Sequence, residues 1–147
     1  MKLLLAALLS FTSLYAVTEK TVEEKFRINS RTDFGARVFY NCDSVENAAY
    51  DMLEELGATD VEVKCTGGID PIGRYHRDAY VKTTFTVQTS EDAGVYEDFK
   101  IRSFRSCHLN REIFTNVMES FTFGELSKVR RCVSSRSPFR VSGTVLK

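Results

Sequence analysis

The chain has 147 residues but only two prolines and two histidines, and several familiar patterns do not occur in it. So little proline, with no low-complexity stretch, argues against disorder away from the termini. No Asn-x-Ser/Thr triplet is present, which excludes N-linked glycosylation. No Cys-x-x-Cys is present either, so a redox pair of that type is not expected, and the wide cysteine spacings do not suit a zinc site. Cys107-His108 lacks the pattern needed for haem attachment. The nucleophile elbow, the phosphate-binding loop, the H-E-x-x-H zinc motif and the EF-hand loop are all missing. Neither a metal nor a cofactor is expected.

The N-terminus does carry a signal. Met1 and Lys2 form a short positive region, Leu3 to Leu9 an apolar run, and Ser10 to Ala16 close on a small residue. This is the layout of a secretory leader, with cleavage expected after Ala16. The apolar run is well short of the ~20 residues that span a bilayer, and no later run is longer. Residues 17–147 are then expected to form one α+β domain, large enough for its own core.

Four cysteines, at 42, 65, 107 and 132, fit two disulfides in an exported chain. They also mark an internal repetition. Counted from Cys42, Ala48, Ala49, Met52, Leu53 and Leu56 stand at +6, +7, +10, +11 and +14. Counted from Cys107, Ile113, Phe114, Val117, Met118 and Phe121 stand at the same offsets. Those offsets trace one face of a helix. Each helix runs on to a second cysteine, 23 residues after the first in one copy and 25 in the other. Two matched registers with matched cysteines point to a duplication, with repeats over about 36–88 and 95–147. The repeat favours the local pairs Cys42–Cys65 and Cys107–Cys132 on neighbouring strands; the cross-repeat pairs Cys42–Cys107 and Cys65–Cys132 are the alternative.

Alternation of apolar and polar residues predicts strands at 37–42, 60–65, 78–88, 95–105, 128–133 and 139–146, with a further one at 22–28. Asp43 and Glu46 are placed to cap the first helix and Gly57 to end it. The resulting order is two β-α-β-β repeats, an antiparallel or mixed sheet with both helices packed on one face. The connectivity is similar to the split β-α-β unit of ferredoxin-like folds, a likeness of topology that says nothing of function.

Charge is balanced overall but not along the chain. Val17 to Glu97 carries 9 Lys/Arg against 16 Asp/Glu, and Asp98 to Lys147 carries 10 against 4. Arg102, Arg105, Arg111, Lys128, Arg130, Arg131, Arg136 and Arg140 gather in the second repeat. Such a surface suits an anionic partner, or else the acidic and basic halves complement each other. Nucleic acid is not expected, since aromatic and basic residues do not interleave.

Two places differ between the copies and are the candidate binding residues. One is the segment Thr66–Asp78, with Arg74, Tyr75, His76 and Arg77. The other is the set Arg130, Arg131 and Arg136 around the last cysteine. His76 and His108 are the only candidates for acid–base catalysis. The chain therefore reads as an exported binding or interaction module of the periplasm or extracellular space, its partner a protein or an anionic ligand. The alternative is a small hydrolase acting on a phosphodiester or similar anion through His76 and His108.

Overall fold

The computed structural model describes residues 19–147 except 33, 70, 71, 105 and 135, and leaves the side chains of His76 and Arg77 undescribed. The expected leader at 1–16 lies outside the described residues. The chain runs β1 (Glu19–Ile28), α1 (Cys42–Glu55), β2 (Thr59–Ile69), β3 (Tyr75–Gln88), β4 (Tyr96–Ser103), α2 (Cys107–Val117), a 3-10 turn (Met118–Ser120), β5 (Phe123–Leu126) and β6 (Phe139–Leu146). The class is α+β. The strands divide into two three-stranded antiparallel sheets rather than one, in the orders β1-β3-β2 and β4-β6-β5. Each half thus has the same connectivity: its first and second strands flank its third.

Alternation places the core. On β3 the inward positions Ala79, Val81, Thr83, Phe85 and Val87 are all buried. On α1 the predicted face is buried at Ala49, Met52, Leu53 and Leu56, with Val45 added and Ala48 partly covered. On α2 Ile113, Phe114 and Val117 are buried, and Phe121 is buried just past the 3-10 turn, with Met118 partly covered. The two halves share one hydrophobic cluster. Phe85 of the first half stacks on Phe121 of the second at 5.6 Å, and Phe121, Phe123, Phe114, Phe139 and Phe99 continue the aromatic chain.

Two expected strands are corrected. Residues 37–42 form no strand: apart from isolated bridges at Arg37 and Asn41, that stretch leads into α1, and the first strand of this half is β1. Val22, Phe26 and Ile28 give β1 an apolar face, and it pairs along ten residues of β3, a longer ladder than 37–42 could form. The first half therefore begins at Glu19 rather than near residue 36. Residues 128–133 form no strand either. β5 occupies Phe123–Leu126, and pairing with β6 ends where Ser127 N–H donates to the Ser142 carbonyl at 2.8 Å. Beyond Ser127, Cys132 is tied to the start of α2, which draws the segment off the sheet.

The helix cap is also corrected. α1 starts at Cys42, and its N-cap is Asn41, whose Oδ1 accepts from Ser44 N–H at 2.8 Å. Asp43 is already inside the first turn. Glu46 accepts instead from the Cys65 backbone N–H at 2.7 Å, and so covers the edge of β2. Gly57 ends the helix as expected. It adopts φ +87°, while Gly57 N–H donates to Glu54 O and Ala58 N–H to Leu53 O, each at 2.9 Å.

The disulfides are Cys42–Cys65 and Cys107–Cys132. Each joins the first residue of a helix to a segment further along the same half, not strand to strand. In the first half the closeness comes from a parallel bridge between Asn41 and Ile69, where Ile69 N–H donates to the Tyr40 carbonyl at 2.9 Å. Gly68 permits this approach, since a Cβ there would run into the Tyr40 carbonyl oxygen. Closing loops of these lengths stabilises by roughly 3 kcal/mol each in the chain-entropy model.

Candidate functional site

The second sheet turns an array of cations outward. Phe99 and Ile101 face the core from β4, so Lys100 and Arg102 between and beyond them face solvent. On β6 Phe139 and Val141 are buried and Arg140 is exposed. The antiparallel register sets Arg102 directly opposite Arg140. The connection from Ser127 to Pro138 then lays Lys128, Arg130 and Arg131 beside them. Together these six cations line a groove of ≈ 690 Å³ with no acidic residue among the described residues of its wall. None of the six forms an ion pair with a described carboxylate.

The first sheet shows that this is not a property of the architecture. There too the register lines up like charges, Lys25 and Lys64 both opposite Lys82. Each lysine is matched, however. Glu23 holds Lys82 at 2.8 Å and Lys25 at 2.9 Å, and Glu62 holds Lys64 at 3.0 Å. Hydrogen bonds from Lys82 and then Lys25 bring the Glu23 carboxyl down to about 2. Like charges directly opposed on a sheet cost roughly 0.2–1 kcal/mol. Carboxylates offset that cost in the first half. On the corresponding surface of the second, no described carboxylate comes within ion-pair distance of Arg102 or Arg140.

A second cleft of ≈ 580 Å³ lies between α1, β4 and the start of α2. Asp51 and Glu55 stand on its helix side, Lys100 and Arg102 on its strand side, and Glu55 accepts from the Lys100 backbone N–H at 3.3 Å. The acidic helix therefore faces one flank of the basic sheet, a partial complement within the fold.

The predicted residues divide. Arg130 and Arg131 lie in the basic groove, while Arg136 is exposed on the same connection but does not line it. Arg111 is half-buried and paired with Glu112 at 3.4 Å, and Arg105 lies outside the described residues. Thr66–Asp78 is mostly strand: β2 runs to Ile69 and β3 starts at Tyr75, so the segment is a β-hairpin with a short turn. Arg74 is exposed in that turn, and Tyr75 is exposed with its ring 5.4 Å from Phe39. The hairpin belongs to the other sheet, and none of its described residues lines the groove. The side chains of His76 and Arg77 lie outside the described residues.

His108 is a core residue. It is 4% exposed and stacks on Tyr40 at 6.4 Å. Its Nε2–H donates to the Asn29 carbonyl at 2.8 Å, which fixes the tautomer, and its Nδ1 finds no partner among the described residues. Such a ring has no nitrogen to offer a substrate in solvent.

Reading by sequence alone passed over Lys100 as a site residue and counted Arg102, Lys128 and Arg140 only as local charge. The signal was available in the strand alternation: once Phe99, Ile101, Phe139 and Val141 are set inward, Lys100, Arg102 and Arg140 share the outer face. Among the described residues no group of histidine, cysteine and carboxylate side chains is placed to hold a metal ion, and no helix is long and apolar enough to cross a membrane. Comparison of the chain with protein-family models, with curated proteins and with solved structures finds no match.

Proposed function

We propose that the chain is an exported, non-catalytic binding module of the periplasm or extracellular space, and that the basic groove is its contact surface for an anionic partner. Two disulfides fit an oxidising compartment, and residues 1–16 read as a cleavable leader. The observation that carries the reading is Arg102 set against Arg140, with four further cations and no carboxylate among the described residues of the groove wall. A solvated face of ordinary kind mixes both signs, as the first sheet does. Unmatched cations along one open surface raise the local concentration of anions and orient an anionic partner. The alternative of a hydrolase through His76 and His108 draws no support from His108, which is buried and hydrogen-bonded to the backbone.

The test is chromatography of the mature protein, purified from the exported fraction, on a cation exchanger near neutral pH. Residues 17–147 carry 19 Lys/Arg against 20 Asp/Glu, a formal net charge of −1, so uniformly spread charge gives no retention. A basic groove gives retention that salt reverses. The variant Arg130→Glu/Arg131→Glu/Arg140→Glu is expected to pass unretained with an unchanged thermal transition, because all three side chains are exposed. Passage of the native protein without retention overturns the reading.

A further inference from the structure

We infer that the anionic partner is the headgroup surface of a phospholipid bilayer, on which the groove docks with Val133 and Phe104 reaching among the headgroups. The inference rests on the reading of the groove as the contact surface.

Three features favour a membrane surface over a small anion or a soluble polyanion. The first is exposure. All six cations are exposed, and no buried charged side chain converges with them to build a cage for one small ion. The second is the rim. Val133 lines the groove and is 80% exposed. Phe104 is 62% exposed and lies under Arg102, whose guanidinium carbon sits 4.4 Å from its ring centroid. A hydrated polyanion gains nothing from an aliphatic side chain held in water beside its charges. A bilayer interface takes apolar side chains between its headgroups while its phosphates meet the cations. The third is the combination. An amphipathic surface binds a bilayer in proportion to its buried apolar area plus its electrostatic attraction to anionic lipids. Each cation near an anionic leaflet strengthens binding by roughly fivefold. Six of them lie around two exposed apolar side chains here.

The experiment uses the mature, oxidised chain in two arms. One is co-sedimentation with vesicles of phosphatidylcholine mixed with phosphatidylglycerol, against vesicles of phosphatidylcholine alone. The other is binding to soluble dextran sulfate. The expected result is capture by the phosphatidylglycerol vesicles, not by phosphatidylcholine alone, weakening as salt rises. Val133→Ser/Phe104→Ser is expected to weaken vesicle binding by about tenfold or more and to leave dextran sulfate binding unchanged. Arg130→Glu/Arg131→Glu is expected to lose both. These four positions are exposed, and an unchanged thermal transition shows that each variant is folded. Vesicle binding that ignores the serine substitutions overturns the inference. So does binding to dextran sulfate without binding to vesicles, which leaves the groove an anionic contact surface of another kind. Binding to neither probe overturns the inference together with the reading it rests on.

Discussion

At Tyr40, burial disfavours the phenolate and the Glu112 carboxylate adds to the effect, so the phenol is pushed up from 10.0 to about 12. The fold therefore prefers the neutral ring. That contribution is whole below pH 10.0 and is lost as the pH climbs towards about 12. In denaturant titrations across this window, Tyr40→Phe is expected to lose less stability than the native protein. The difference is on the order of 1–2 kcal/mol, after allowance for solvent screening of a partly accessible ring. A native protein that declines in parallel with the variant would show that Tyr40 does not titrate with unfolding. At this scale the sequence showed which side chains are buried but not what they bond. Period two on β3 and period 3.6 on both helices report burial directly. Nothing in "SCHLN" reveals that His108 meets the Asn29 carbonyl 79 residues earlier.

The elements were legible where local chemistry decides them. Phe139–Leu146 has the expected bounds, and Gly57 ends α1 because a left-handed residue is needed there. They were not legible where a distant contact decides. Asn41 and Asp43 are both good caps by type. The bridge from Asn41 to Ile69 fixes the chain just before Cys42, so Asn41 takes the role. Asn41→Ala is accordingly expected to cost about 1 kcal/mol in urea unfolding, whereas Asp43→Ala, which loses only a first-turn charge, costs a few tenths. The reverse order would restore Asp43 as the cap. The segment Lys128–Val133 failed as a strand for a similar reason. Its alternation was real, but the bond from Cys132 to Cys107 takes precedence over pairing with β6.

For the whole molecule, the α+β class could be read from the helical offsets and the strand alternation, and each half does run β-α-β-β, but with Glu19–Ile28 and Phe123–Leu126 in the places expected for 37–42 and 128–133. The division into two sheets could not, since strand order depends on contacts that alternation does not report. The basic groove was half visible. The excess of arginine after Asp98 was plain in the sequence, yet only the register of β4 on β6 turned it into one continuous groove.

The two sheets exchange no strand, each disulfide closes within its own half, and a single segment, 89–95, joins them. Among the described residues no β-ladder crosses between the halves; they are held by packing, with Phe85 against Phe121 at the seam, and by hydrogen bonds such as His108 to the Asn29 carbonyl and Ser120 to Glu24. A protease site placed at Asp92–Ala93 therefore severs neither a β-ladder nor a staple. The nicked protein is expected to elute at its intact size. Its two fragments, parted in denaturant and mixed again, should find each other and regain the native thermal transition. Kept apart, each leaves its side of the aromatic seam in water and should aggregate. The chain would then behave as a heterodimer whose subunits are joined by a tether, with assembly a matter of effective concentration.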